Sequence, residues 1–231
     1  MNLLLNTPPL DVYEHMALDE TLVKLRPGAV SLRFFNWREG AAITYGYAQF
    51  YQEVLRGIPA EFNGEMTRRP TGGGIVFHTD DLTFSVIFEH TGRTADIYKK
   101  MHTLICAELS KRGEERLSLG NSVSKEKYQP SCGQEASACF INPVENDVLF
   151  DKEKKILGGA LRRFGTTFLY QGSLQLPGAR QNPLYKQAII CAVRSFLALD
   201  LKPTALDGQT LQTARLLASS CYRTPFWKEK F

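Results

Sequence analysis

The sequence predicts an α+β fold, a mixed β-sheet flanked by helices, and three observations carry that prediction. Strand-type runs and helical periodicities interleave along the 231 residues. No Pro/Gly-rich linker, internal repeat or low-complexity stretch separates them. The composition, 43% hydrophobic and 23% charged, suits a chain long enough to bury a sizeable core. A single domain over residues 1–231 is the expected organisation.

Each element has its own signal. Asp11-Val12-Tyr13-Glu14 has the form of a capping box, and Val12, Met16 and Val23 keep helical phase up to a stop at Pro27-Gly28. Val30, Leu32 and Phe34 alternate with Ser31, Arg33 and Phe35 as a strand, and Ala42-Ile43-Thr44-Tyr45 before Gly46 reads as its neighbour. The run from Leu82 to Phe88 is the strongest strand signal. With residues 75–78 it reads as a hairpin across Thr79-Asp80-Asp81, which sets the preceding glycines at a sheet edge.

Ile97, Met101, Leu104, Ile105 and Leu109 recur at helical spacing until Gly113. Residues 113–137 are polar and irregular and read as a long loop of the kind that serves as a lid or binding segment. Residues 147–150, 151–154 and 155–160 read as strand, charged turn and strand, followed by a strand over 166–176. The remainder reads as helical. Leu184, Ala188, Cys191, Ala192 and Phe196 share one face, and Asp207 can cap a last helix through Leu211, Leu217 and Ala218.

Bulk properties narrow the function classes. Lys+Arg 28 against Asp+Glu 24 gives a net charge of +4, which mildly favours acidic macromolecular partners but is too small to argue for nucleic acid. No apolar run reaches the length of a membrane span, and the N-terminus lacks the pattern of a signal peptide, so a cytoplasmic protein with no membrane partner is expected. The five cysteines, Cys106, Cys132, Cys139, Cys191 and Cys221, are scattered and read as reduced thiols. Cys132 and Cys139 have no partners at zinc-ligand spacing, so no metal is expected.

Three stretches could carry chemistry. In Arg68-Arg69-Pro70-Thr71-Gly72-Gly73-Gly74, glycines without Cβ can bare amide N–H groups beside a ligand while arginine supplies charge. By itself that run is also what a flexible hairpin loop looks like. Lys155 starts a strand that runs into Gly158-Gly159, although out of context it reads as one more surface lysine. Cys139 ends the long loop. A lone cysteine is usually a small core residue, but a neighbouring ammonium would raise its thiolate fraction. His78 is the one histidine near the glycines and reads as a strand-end residue more readily than as a base. No Gly-x-Ser-x-Gly elbow occurs, and no Lys-Ser/Thr pair follows the glycines as in a P-loop.

Residues 68–78 followed by Asp81-Leu82-Thr83-Phe84-Ser85 resemble the signature of the lipoate-protein ligase and octanoyltransferase family. Lys155-Ile156-Leu157-Gly158-Gly159-Ala160-Leu161-Arg162-Arg163 resembles its second signature, which holds the family's lysine. Met16-Ala17-Leu18-Asp19-Glu20, Tyr45-Gly46-Tyr47-Ala48-Gln49 and the stretch from Tyr222 to Trp227 also fall where that family has similar segments. The resemblance covers nearly the whole chain.

The resemblance implies a biotin/lipoate protein ligase (class II aminoacyl-tRNA synthetase-like) catalytic domain, with an acyl tunnel beside the glycine turn. It implies Cys139 and Lys155 as catalytic residues. Arg69, Thr71, Gly72, Gly73, Gly74, His78, Gly158, Gly159 and Ala160 would bind substrate. Ala138-Cys139-Phe140 lies where the cysteine-dependent octanoyltransferase branch places its nucleophile, and the chain ends near the expected end of a catalytic domain.

The implied activity is transfer of an octanoyl (or lipoyl) group from acyl carrier protein to a lysine of a lipoyl domain of 2-oxoacid dehydrogenases or of the glycine cleavage H protein. No cofactor is required for that reaction. The alternatives are an ATP-dependent lipoate-protein ligase, using ATP and Mg, and a non-catalytic acyl- or carrier-binding relative. Gly74 is the ligase-like third glycine where the transferase branch more often has arginine. Gln171 stands where many relatives have histidine, and His15 where they have asparagine.

Overall fold

The computed structural model describes residues 2–26, 28–38, 40–121, 139–141 and 143–231. In chain order the elements are β1 (Asn2–Asn6), α1 (Val12–Leu25), β2 (Val30–Phe34), β3 (Ala42–Tyr45), α2 (Tyr51–Arg56), β4 (Glu65–Arg68), β5 (Val76–His78), β6 (Leu82–Glu89), α3 (Thr94–Ser110), β7 (Leu117–Leu119), β8 (Val148–Phe150), β9 (Lys154–Phe164), β10 (Thr167–Leu174), α4 (Pro183–Leu197), β11 (Lys202–Ala205), α5 (Gly208–Leu217), a π-helical turn over Ala218–Tyr222, and α6 (Pro225–Lys228). The strands form two sheets. One has eight strands in the order β11-β1-β2-β6-β10-β9-β8-β7, and the other has three, β4-β3-β5. In the large sheet β11, β1 and β2 run parallel, and the pairings from β2 onward are antiparallel.

The period-two pattern of the central strands divides the molecule into layers. Phe84, Val86 and Phe88 of β6 join Phe168 and Tyr170 of β10 in a core that α3 and α4 close with Ile97, Met101, Ile105, Ala188, Ile189 and Val193. On the opposite face Ile87 and Leu169 meet Leu18 and Leu22 of α1 and Ala214 of α5. Helix α1 begins as expected: Asp11 accepts from the Glu14 amide at 2.9 Å, and the Glu14 carboxylate accepts from the Asp11 amide at 3.2 Å. Among the described residues no helix is long and apolar enough to cross a membrane.

Several pairings differ from the sequence expectation. Residues 75–78 and 82–88 do not form a hairpin: β5 pairs antiparallel with β3, while β6 pairs with β2 and β10. Nor is β3 a neighbour of β2; it sits between β4 and β5 in the small sheet. The reason is burial. Leu82–Phe88 is buried on both sides and takes a central place, whereas β5 has only three residues and lies at an edge. The glycine turn links β4 to β5, the two edge strands. Residues 117–119, read as loop, are strand β7. The rest of that loop from 122 on, Cys132 included, and Ala138 after it lie outside the described residues. The C-terminal region is not all helix, because Lys202–Ala205 adds a parallel strand beside β1.

Candidate active site

The two sheets face one another across a cavity, and β9 carries a lysine close by it. The β8–β9 register runs Leu149↔Lys155 and then Val148↔Leu157, so Ile156 is an extra residue in β9, a bulge. The bulge changes the side-chain alternation. Ile156 and Leu157 both enter the α3/α4 core, and Lys155 and Gly158, three apart, come to the same side. A Cβ on Gly158 would lie 2.5 Å from Lys155 Cε, so this position has room for hydrogen alone.

Lys155 is 4% exposed. Its Nζ lies 2.9 Å from Asp147 Oδ2 and 3.4 Å from Cys139 Sγ, with the Phe140 ring 5.2 Å away. Asp147 is fully buried. Its Oδ1 accepts from Tyr98 Oη at 2.5 Å and its Oδ2 also accepts from the Val144 amide at 2.6 Å. Burial, reinforced by the Asp147 carboxylate, pushes the Tyr98 phenol far above its ordinary range, which keeps it a donor. Tyr98 Oη in turn accepts from the Gly159 amide at 3.3 Å. One helical turn along α3, the His102 ring packs 3.9 Å from that of Tyr98, and its Nε2 pairs with Tyr170 Oη at 2.8 Å. Burial, aided by the Lys155 charge, drops His102 to about 3, so it is neutral.

Cys139 is held from the other side. Its amide donates to Ile75 O at 2.8 Å, tying the residue to the segment just after the glycines. Gly73 has φ +90°, in the region where an L side chain is strained. Its would-be Cβ lies 3.2 Å from Arg69 Nη2 and 3.9 Å from Cys139 Sγ, and its carbonyl oxygen lies 1.8 Å from where a Cβ on Gly46 would stand. Arg69 is buried, donating through Nη2 to Gly72 O at 2.7 Å and Gly74 O at 2.8 Å, and through Nη1 to Thr44 Oγ1 at 2.9 Å. Burial pulls its guanidinium down to about 10, while facing Cys139 works the other way. Lys155 and Arg69 therefore both stand near the thiol.

Donor directions in the adjoining network follow one another. The Asp81 carboxylate can only accept, so His78 donates to it from Nδ1 at 2.9 Å, while Nε2 pairs at 2.8 Å with Thr44 Oγ1, which also accepts from Arg69. Thr83 and Ser173 hydroxyls donate to the same oxygen. Both ring nitrogens of His78 are thus engaged, which suits a strut rather than a base. Opposite it, Thr71 Oγ1 donates to Gln171 Oε1 at 2.6 Å, and Gln171 Nε2 to Asp19 Oδ2 at 2.7 Å. Asp19 Oδ1 accepts from Arg33 and from Ser85. His15 completes this network, paired with Arg33 at 2.9 Å and stacked on Phe35. The glycine turn is braced at both ends.

The cavity between the sheets holds about 430 Å³ including its mouth, and its accessible lining is mostly carbon. Arg69, Gly72, Gly73, His78, Cys139, Gly158, Gly159 and Ala160 line it together with Met16, Phe35, Val76 and Phe140; Thr71, Gly74 and Lys155 do not. Its apolar lining suits an apolar chain, with a thiol beside it. Among the described residues no group of three or more His, Cys, Asp or Glu could hold a metal ion.

Residues 11–187 match the lipoyl protein ligase A/B catalytic domain. The chain belongs to that family. The octanoyltransferase LipM of Oceanobacillus iheyensis is 30% identical over 181 residues, covering 74% of this chain and 63% of the relative. That of Brevibacillus brevis is 31% identical over 176 residues, covering 70% and 61%. The chain therefore spans about three fifths of the length of these relatives. Among solved structures, a lipoate-protein ligase A bound with ATP superposes with a TM-score of 0.74 at 19% identity over 99% of both chains. A bipartite lipoate protein ligase of Thermoplasma acidophilum, described with its E2 lipoyl domain, gives 0.72 at 20% identity over 99% of this chain and 96% of that one. These likenesses establish the lipoate-protein ligase catalytic fold, the mixed sheet flanked by helices expected from the sequence.

Three site residues escaped the sequence reading. Asp147 was legible only as the start of a strand; it directly precedes β8, which pairs with the strand of Lys155, and the fold brings the two charges to 2.9 Å. Tyr98 and His102 stand four apart on a helix otherwise read for its aliphatic face. Each is polar at a buried or half-buried helical position, which is the signal that was available.

Proposed function

We propose that this chain transfers an octanoyl (or lipoyl) group from acyl carrier protein, through a thioester on Cys139, to a lysine of a lipoyl-carrier domain. The observation that carries the reading is the half-buried Cys139 thiol 3.4 Å from the buried Lys155 ammonium on the wall of a narrow apolar cavity. The LipM relatives bear the name octanoyltransferase, and the Thermoplasma ligase is described with a lipoyl domain, which supports both the reaction and the acceptor.

In the first step the Cys139 thiolate attacks the carbonyl carbon of the donor thioester. The carbon–sulfur bond to the carrier breaks, and the carrier sulfur leaves as thiolate to be protonated by solvent. Negative charge on the carbonyl oxygen is stabilised by Lys155 and by amides of the glycine turn or of Gly158-Gly159; one such donor is worth ~3 kcal/mol of barrier. In the second step the acceptor lysine amine attacks the enzyme thioester, loses a proton to solvent, and releases Cys139 as thiolate. The donor thioester is already activated, so neither nucleotide nor metal takes part, and the reaction belongs in the cytoplasm, where its carriers work.

The test is intact mass spectrometry after incubation with octanoyl-acyl carrier protein without ATP, beside Cys139→Ser. An octanoyl adduct on the native chain alone is expected. Modification of a lipoyl domain that occurs only with ATP and free lipoate, and that survives Cys139→Ser, would instead mark an ATP-dependent ligase.

A further inference from the structure

We propose that Asp147 and Tyr98 are positioning residues for the reaction: the carboxylate holds the Lys155 ammonium against Cys139, and Tyr98 locks that carboxylate and the Gly158-Gly159 segment into one unit. The proposal rests on the transfer reading above for its role in turnover, but its effect on the thiol stands without it.

The geometry aims Asp147 at Lys155. Its Oδ2 faces Lys155 Nζ at 2.9 Å, and with Tyr98 on Oδ1 and the Val144 amide on Oδ2 both oxygens are engaged. Lys155 is 3% exposed in its side chain and Asp147 0%. A buried ammonium without a counter-charge gives up its proton, and a neutral amine cannot stabilise a thiolate. With the carboxylate present, one donor of Lys155 is committed to Asp147 and another reaches Cys139 Sγ at 3.4 Å. Tyr98 extends the unit to the strand, since its oxygen both donates to Asp147 and accepts from the Gly159 amide. The bulge at Ile156 directs Lys155 and Gly158 to one side, and Tyr98 fixes the next residue along.

The charged and titratable groups facing this unit are few. From α3 come Tyr98 and His102, from β10 Tyr170, and from the glycine turn Arg69. Burial holds His102 near 3 and raises Tyr98 and Tyr170 well above 10, while Arg69 stays at about 10. Between about pH 6 and 9, then, none of these four changes its charge state substantially. A change in the thiol's titration across that range reports on Lys155 and Asp147.

The experiment follows alkylation of Cys139 by iodoacetamide against pH, read at the Cys139 peptide by mass spectrometry, in the native chain, Asp147→Asn, Tyr98→Phe and Lys155→Ala. Asp147→Asn keeps the shape and one acceptor oxygen, removes the charge, and turns the other acceptor into a donor. It is expected to raise the alkylation midpoint by about 1 unit, toward that of Lys155→Ala. Tyr98→Phe, the milder variant, is expected to give a smaller rise in the same direction. If Asp147 were only a nearby negative charge, Asp147→Asn would lower the midpoint. An unchanged or lowered midpoint in a folded Asp147→Asn protein overturns the proposal, as does a native midpoint equal to that of Lys155→Ala.

A second arm measures octanoyl-adduct formation from octanoyl-acyl carrier protein, expected to slow roughly tenfold in Asp147→Asn at neutral pH. If the native chain alkylates as expected but never acquires the octanoyl group, the transferase reading fails while the positioning role stands.

Discussion

Lys155 illustrates how a residue of ordinary sequence context acquires a special environment. In a Lys-Glu-Lys-Lys turn it looks like a surface charge; in the fold it is buried between Asp147 and Cys139 because β9 bulges beside it. Gly158 makes the space, since its missing Cβ would lie 2.5 Å from Lys155 Cε and 2.9 Å from Nζ. Gly158→Ala is therefore expected to displace the ammonium from the thiol at a cost of about 1–3 kcal/mol in packing strain. Iodoacetamide alkylation of Cys139 at neutral pH should slow roughly tenfold in a protein whose circular dichroism remains native. Unchanged alkylation would mean that Lys155 tolerates the methyl group without moving. His78, the one histidine near the glycines, is engaged at both nitrogens by the Arg69–Thr44–His78–Asp81 chain.

At the scale of elements, α1 joins the site to the rest of the molecule. Its N-terminus is capped by Asp11, whose carboxylate also pairs with Arg38 and Arg223. Two turns further on, Asp19 accepts from Arg33, Ser85 and Gln171, and through Gln171 it braces Thr71 at the head of the glycine turn. Asp11→Ala should cost about 1 kcal/mol from the lost cap. The two arginines are partly exposed and add little after solvent screening. A urea titration would show this as a lowered midpoint with an unchanged slope; a loss far above ~2 kcal/mol would mean that the Arg223 contact secures the C-terminal segment as well. Arg68 has a comparable reach. It is fully buried and donates to carbonyls of Tyr47, Gln49, Trp227 and Lys228, binding the end of the chain to the small sheet.

Across the whole molecule, buried histidines on opposite faces of the large sheet set a pH limit on stability. His102, in the α3 layer, is held near 3, and His15, in α1, is held well below its ordinary 6.5, both chiefly by burial. A histidine whose folded pKa is depressed binds its proton more readily when unfolded. Its stabilising effect is complete above about 6.5 and declines as pH falls from there toward the folded value, by at most about 1.4 kcal/mol per pH unit for each ring. Urea unfolding at pH 7.5 and 5.0 should show the native chain losing stability on acidification, and His102→Gln losing about 2 kcal/mol less between those two values. Equal losses would show that His102 is protonated in the fold. Asp81, held low by His78, Ser173 and Thr83 against the opposing effect of its burial, loses its contribution only below its ordinary 3.8 and leaves this window undisturbed.

The sequence by itself determined what is local. Helices α1, α3 and α4 were legible from 3.6-residue periodicity and the cap at Asp11, strands β6, β8, β9 and β10 from apolar alternation and the charged turn, and the family from the glycine turn and the Lys155 segment. It also singled out Cys139 and Lys155, which the fold brings to 3.4 Å. Tertiary structure alone decided which strand pairs with which, because β5 chooses β3 over β6 through contacts more than thirty residues apart. It decided that Arg69 turns inward to the carbonyls of its own loop, and that Asp147 is the counter-charge of Lys155. Each of these is a competition among distant partners for burial and hydrogen bonds, and the periodicity of a short window carries no record of its outcome.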